Sequence, residues 1–282
     1  MKIKYLGLLA SAGFAALLFT ASTANAKPPS LLGSAESFAV LAGTAVTLTD
    51  STIIGDAGVD LGGAFTLTLP STVSGTVHVG DTVAQLAYDD FLAAYVALGL
   101  QPCEHVISGN LAGQCLTPGV YCVDAASTTT GGTLTLVGSS TDTWIFKIGT
   151  SGTGALTGTS FTVVGQSACG SAGVPWTTCN NNVFWWTAQA ATLTDSVFIG
   201  SILAGADITV TRGTLDGQVL ATGAVTLTGT TVSDCGNVSP PKKPKANEGV
   251  GNGVDGNTPG HLHNGGNDDP AYSPGNPGAK HK

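Results

Sequence analysis

The sequence predicts a mainly β fold, a β-solenoid with one long α-helix laid along it, and three observations carry that prediction. The first is a repeat. Thr192-Leu193-Thr194, Thr209-Val210-Thr211 and Thr226-Leu227-Thr228 recur at intervals of 17 residues, and Gly200-Ser201-Ile202-Leu203-Ala204 maps onto Gly217-Gln218-Val219-Leu220-Ala221 with the same shift. A short fixed period rich in β-branched residues, without heptads, is the pattern of stacked coils. The second is a succession of short β-prone segments closed by Gly or Asp, in a chain with 40 glycines to turn its corners. The third is a single Gly- and Pro-free stretch, 82–98, whose larger residues Ala84, Tyr88, Phe91, Tyr95 and Leu98 fall three or four apart. In each Thr-x-Thr strand the central Leu or Val points one way and both threonines the other. Stacked coils therefore give an apolar core behind a flat threonine array.

Taken in order, residues 1–26 read as a secretory leader. Lys2 and Lys4 precede an apolar run, 6–19, and Ala24-Asn25-Ala26 forms the small-residue cleavage site. Export to the extracellular side is the expectation. No later run is long and apolar enough to span a bilayer. The solenoid domain is expected over 27–238. Its first coils are Phe38-Ala39-Val40-Leu41, Ala45-Val46-Thr47-Leu48-Thr49 and Thr52-Ile53-Ile54-Gly55-Asp56, with a looser echo 20 residues on at Ser74-Gly75-Thr76. Asp81 is placed to cap the helix and Gly99 to end it. An amphipathic helix here would cover one apolar flank, with Tyr88 and Tyr95 as core residues whose hydroxyls find partners. A loop is expected over 102–113. Coils resume at Gly119-Val120-Tyr121-Cys122, Thr133-Leu134-Thr135, Trp144-Ile145-Phe146-Lys147-Ile148, Ala155-Leu156-Thr157 and Phe161-Thr162-Val163-Val164. The aromatic run Val183-Phe184-Trp185-Trp186 leads into the regular repeat. Residues 239–282 are Pro-, Gly-, Asn- and Lys-rich, cannot bury a core, and read as a disordered tail.

Charge excludes several functions. Between residues 30 and 238 there are 14 acidic side chains and two basic ones, Lys147 and Arg212. Nucleic acid needs clustered Lys and Arg and is not an expected partner. An anionic membrane surface is disfavoured for the same reason. The acids are scattered, no nucleophile motif stands out, and no cation is positioned to stabilise developing charge, so an enzyme is not expected. Arg212 and Asp207 read as corner residues. Six cysteines in an exported chain imply disulfides in one of 15 pairings, with Cys169–Cys179 the favoured bridge because it closes a short loop. The alternative, a metal held by Cys103, His105, Cys115 and Cys122, does not follow a zinc spacing. No metal or cofactor is expected.

Several of these segments together resemble one family, the ice-binding (antifreeze) proteins. They are Ser37-Phe38-Ala39-Val40-Leu41-Ala42-Gly43, the helix from Thr82, Gly109-Asn110-Leu111-Ala112-Gly113, Leu116-Thr117-Pro118-Gly119-Val120-Tyr121 and Trp144-Ile145-Phe146-Lys147-Ile148. Asn182-Val183-Phe184-Trp185, the 200–204 segment and Leu220-Ala221-Thr222-Gly223-Ala224-Val225-Thr226-Leu227 follow in the same order. The sequence departs at Trp186, where the family more often has Gln, at Cys122, and in an enlarged loop between Cys169 and Cys179. The resemblance implies an irregular, discontinuous solenoid of triangular section, one face covered by the helix and one flat face adsorbing ice. On that reading Thr192, Thr194, Thr209, Thr211, Thr226 and Thr228 form much of the ice-binding face, and the partner is the crystal surface, met by a monomer. The pairs Thr47/Thr49, Thr66/Thr68 and Thr133/Thr135 lie in less regular coils, on the same face or another. The competing reading is a cell-surface or adhesive protein that uses the same flat face for a glycan or a surface layer.

Overall fold

Short strands separated by single tight corners stack in parallel, so that each coil places one strand on each of three sheets. The computed structural model describes residues 30–170, 173–176 and 181–234. The leader 1–26, the tail 239–282, Cys179 and Cys235 lie outside the described residues.

The three sheets are the three faces of the solenoid. The first has nine strands and carries the helix. The second runs, neighbour to neighbour, Ser127–Thr130, Leu156–Thr159, Ala191–Thr194, Ile208–Thr211, Ala224–Thr228, Ala45–Thr49 and Ala64–Thr68. The third has eight strands, from Cys115–Leu116 at one end to Thr72–Val73 at the other. Chain order and spatial order differ. The first coils build outward from Phe38–Ala42 to Val77–Val79, and helix α1 (Thr82–Gly99) follows. The chain restarts at the far end with His105–Val106 and builds back until its last coil meets the first. That seam is fully paired on every face, with Val40 beside Val219, Val46 beside Val225 and Ile53 beside Val232. The solenoid is therefore continuous in space and discontinuous in sequence.

The inward residues of all three faces form one apolar core. Val46, Leu48, Leu193, Val210, Val225 and Leu227 come from the second face, and Trp144, Phe146 and Trp185 from the first. Phe146 and Trp185 stack with ring centroids 4.1 Å apart. A second cluster lies between α1 and the first face, where Ala87, Phe91, Ala94 and Leu98 meet Phe38, Leu41, Cys122, Leu203 and Leu220. Burying each Phe or Leu there contributes roughly 1.5–3 kcal/mol.

The helix begins and ends for identifiable reasons. Asp81 accepts the backbone N–H of Ala84 at 2.8 Å, which satisfies one orphan donor of the first turn. That bond, with His78 beside it, holds the Asp81 carboxyl below the usual range. At the other end Lys147, buried on the first face, donates to the Gly99 and Gln101 carbonyls at 2.7 and 2.6 Å. The tyrosine hydroxyls find partners as expected: Tyr88 donates to the Thr222 carbonyl and Tyr95 to that of Thr187. Trp186 stacks on Tyr95, centroids 5.2 Å apart, against the same flank.

Two expectations are corrected. Cys169 pairs with Cys115, not Cys179. Parallel stacking sets Cys115 beside Thr135 and carries Cys169 just past the strand Thr162–Gln166, which pairs with Thr133–Val137. Partners 54 residues apart thus lie at one end of the same sheet, a proximity that loop length does not reveal. Cys103 pairs with Cys122, so the cysteines weighed as metal ligands are held in disulfides. The segment expected as a loop, 102–113, contains a short edge strand, His105–Val106, paired with Tyr121 and Cys122.

Candidate functional site

The second face carries two unbroken files of threonine. Register fixes each file. One runs Thr128, Thr157, Thr192, Thr209, Thr226, Thr47, Thr66, and the outer one runs Thr130, Thr159, Thr194, Thr211, Thr228, Thr49, Thr68. All six threonines singled out by the repeat belong to them, in three adjacent coils. Thr47/Thr49 and Thr66/Thr68 extend the same two files across the seam. Thr133 and Thr135 stand on the third face instead. Sequence reasoning missed Thr157/Thr159 and Thr128/Thr130. In those strands the inward residue between the threonines is Gly158 or the buried Thr129 rather than an apolar side chain, so the alternation is hidden.

The outward positions of the face are small and uncharged. Ala45, Ala64 and Ala224 stand in register beside the first threonine file. The inward positions alternate with them and are buried in all strands but the end strand Ala64–Thr68, where Phe65 is half-buried and Leu67 exposed. Neighbouring threonines within a file are about 4.8 Å apart, and the two files roughly 6.7 Å apart. The threonines are exposed or half-buried, so methyl and hydroxyl groups both reach the surface.

Charge is kept to the borders. Asp207 lies at the alanine edge, where its Oδ1 accepts the backbone N–H of Ala224 in the next coil at 2.7 Å. At the opposite edge six of the seven coils turn through a left-handed residue, the exception being the Ala64–Thr68 coil, which turns through Leu69 and Pro70. Ser160, Asp195, Arg212 and Asp50 all have φ near +50° (51°, 50°, 50° and 50°), and Gly131 and Gly229 take the same position at 66° and 61°. Four side chains other than Gly are thus held in a sparsely allowed region, at a cost of order 1 kcal/mol each that the surrounding ladder must offset. Arg212 spans this corner and donates from Nε and Nη2 to the two Asp195 carboxylate oxygens at 2.8 and 2.9 Å. The hydrogen bonds from Arg212 hold Asp195 below the usual carboxylate range and push the guanidinium still higher. Both basic side chains among the described residues are therefore engaged, Arg212 at this border and Lys147 under the helix.

The other two faces are differently dressed. Helix α1 lies along the first. On the third, the outward row of Thr133, Thr162, Thr214, Thr231, Thr52 and Thr72 is broken by Val197, and its neighbours include Ile54, Ile199 and Asp216. Trp176 packs over Gly165 there and donates its indole N–H to the Gly138 carbonyl at 2.9 Å. The second face is the one whose threonine files are unbroken.

Comparison with known proteins agrees with this architecture. The family model described as "Ice-binding-like" matches residues 40–233. An ice-binding protein of Nostoc sp. (strain HG1) is 35% identical over 247 residues, covering 85% of this chain and 86% of that protein. An ice-binding protein of Flavobacterium frigoris (strain PS1) is 32% identical over 229 residues, covering 72% and 75%. The crystal structure of an ice-binding protein from the Antarctic ascomycete Antarctomyces psychrotrophicus superposes with a TM-score of 0.63 at 30% identity, covering 72% of this chain and 96% of that one.

Proposed function

Since this chain belongs to the ice-binding-like family, we propose that it is an exported protein that adsorbs to ice through its threonine face and so inhibits ice growth or recrystallisation. The observation that carries the reading is the pair of seven-membered threonine files, free of charge between their borders. A receptor for ice must outcompete liquid water at its own surface. Charged groups hold hydration shells tightly and disturb an ice-like layer. Threonine offers a methyl, which weakens the hold of liquid water, and a hydroxyl, which anchors an ordered one. Its χ1 is stiff, so the array is arranged before ice arrives. Spacings of about 4.8 and 6.7 Å are comparable to oxygen repeats on ice planes. Many weak contacts, held rigidly together, add to an adsorption that any one of them lacks.

In this reading residues 1–26 direct export, 27–238 form the binding domain, and 239–282 are a tail that takes no part in binding. The protein acts as a monomer, needs no cofactor and performs no catalysis. The test is a single ice crystal held just below its melting point with the oxidised protein. A gap between melting and growth temperatures, with a faceted crystal, supports the proposal. A round crystal that grows freely from a folded sample refutes it and leaves the adhesive reading in its place.

A further inference from the structure

Beneath the corner between the second and third faces lies a line of buried hydroxyls that adsorption does not use directly. Ser196, Thr230, Ser51 and Ser71 are 3%, 1%, 2% and 3% exposed. Three of them sit two residues after a threonine of the outer file and donate to that threonine's own carbonyl. Ser196 Oγ reaches Thr194 O at 2.9 Å, Thr230 Oγ1 reaches Thr228 O at 3.1 Å, and Ser51 Oγ reaches Thr49 O at 2.9 Å. The same three carbonyls also accept a backbone N–H from the next coil: Ser160 to Thr194, Arg212 to Thr228, Gly229 to Thr49. Each carbonyl is thus held from two directions, by its own coil and by its neighbour.

The hydroxyls are also linked to one another across the seam. Thr230 N–H donates to Ser51 Oγ at 3.2 Å and Ser51 N–H to Ser71 Oγ at 3.1 Å, while Thr230 Oγ1 lies 3.2 Å from the Val210 carbonyl. On the other side Phe161 N–H donates to Ser196 Oγ at 3.2 Å. The coil of Thr211 has Gly213 at this position, where an added Cβ would lie 2.5 Å from the Ser196 carbonyl oxygen. Thr230 Oγ1 of the neighbouring coil approaches the carbonyl of Val210, one residue before Thr211, and shares its single proton between that carbonyl and the Thr228 carbonyl.

We propose that Ser51, Ser196 and Thr230 are positioning residues of the threonine face, fixing the outer file at the point where the backbone turns left-handed and leaves the sheet. This rests on the reading of that face as the ice-binding surface. A left-handed corner residue is an unfavourable conformation for Asp195 and Asp50, which follow Thr194 and Thr49, and opening of the corner would relieve it; Thr228 is followed by Gly229, which adopts that conformation freely. Opening tilts the preceding threonine out of the common plane. A buried hydroxyl bonded to that threonine's carbonyl resists the tilt from inside, where water cannot compete.

Thr230→Val and Ser51→Ala remove the hydroxyls with little change of shape, and Thr230→Ser keeps one. Tyr95→Phe removes a hydroxyl bond of similar kind on the helix-covered face as a control. At equal folded concentration near 4 °C, Thr230→Val and Ser51→Ala are expected to lower thermal hysteresis about twofold or more, with Thr230→Ser and Tyr95→Phe near the unsubstituted protein. Amide hydrogen exchange is the second readout and needs no ice. Exchange at Arg212 and Gly229, the amides bonded to the Thr228 and Thr49 carbonyls, should speed up in the first two variants, while the Gly205 amide bonded to Thr187 O stays as it was. Unchanged exchange at Arg212 and Gly229 overturns the proposal, whether or not the protein binds ice. Faster exchange with full hysteresis overturns it too, leaving the hydroxyls a role in stability alone. Absence of hysteresis in the unsubstituted protein refutes the ice reading instead, and exchange then decides the positioning role by itself.

Discussion

Replacing Thr211 by lysine puts a charge at the fourth of seven positions in the outer threonine file. Six intervals of about 4.8 Å make the intact file roughly 29 Å long. A lysine at its centre leaves three threonines on each side, so the longest uninterrupted run falls to roughly 10 Å. The ammonium also keeps its own water and holds a flat crystal off the neighbouring rows. If this removes ~2–3 kcal/mol of adsorption free energy, occupancy at a given concentration drops roughly 30- to 150-fold. The fold should hardly notice. Thr211 points outward from a strand whose inward residue is Val210, and surface substitutions of this kind stay within about 0.5 kcal/mol. For a domain of this size that is a melting shift of no more than about 2 °C. The assay is thermal hysteresis on a single crystal, alongside thermal unfolding by circular dichroism. Thr214→Lys, in the same coil but on the third face, and Leu86→Lys, on the outer side of α1, add the same charge elsewhere and should leave hysteresis intact. Full hysteresis in Thr211→Lys, or equal loss in Thr214→Lys, refutes the assignment of the face.

Three further outcomes follow from the packing. Reduction of the Cys103–Cys122 and Cys115–Cys169 bridges, which close loops with separations of 19 and 54 residues, should cost about 3–4 kcal/mol each in the loop-entropy view, seen as a lower melting temperature in reductant. Lys147→Met removes both side-chain bonds to the Gly99 and Gln101 carbonyls, at and just past the end of α1, and should destabilise the fold by about 1–3 kcal/mol while hysteresis at low temperature persists. Asp81 has its carboxyl lowered in the folded state by the Ala84 N–H and by His78. Its contribution to stability is therefore complete above the unfolded carboxyl value near 4 and is lost as pH falls through the lower folded value. Asp81→Ala should flatten that acid limb of a stability–pH curve measured by denaturant unfolding.

Much of this molecule was legible in the residues because its strongest signals are local. Strand parity has a period of two whatever lies around it, so Thr209-Val210-Thr211 announces a buried valine between two outward threonines before any partner is known. The start of α1 was legible for the same reason, since Asp81 caps the Ala84 N–H within a turn of itself; at the other end Gly99 is the last helical residue and Leu100 the cap. The 17-residue spacing fixed the register of three coils, since equal lengths between equal corners stack only one way. Where the spacing lapses, local information ends. That Thr47 and Thr49 stand beside Thr226 and Thr228 depends on the chain leaving the stack, running through α1 and returning from the far end. No residue in either strand encodes that path, since one parallel Thr-x-Thr strand pairs with another equally well. The same non-local stacking joined Cys115 to Cys169 against the claim of a shorter loop, brought Lys147 to the end of a helix some fifty residues earlier, and placed Thr133 around the corner from threonines it resembles. Sequence alone thus determined what a coil presents wherever an apolar residue marks the inward side, because side-chain direction is set by adjacent peptide units. Tertiary structure decided which coils lie side by side, because that is set by the route of the whole chain.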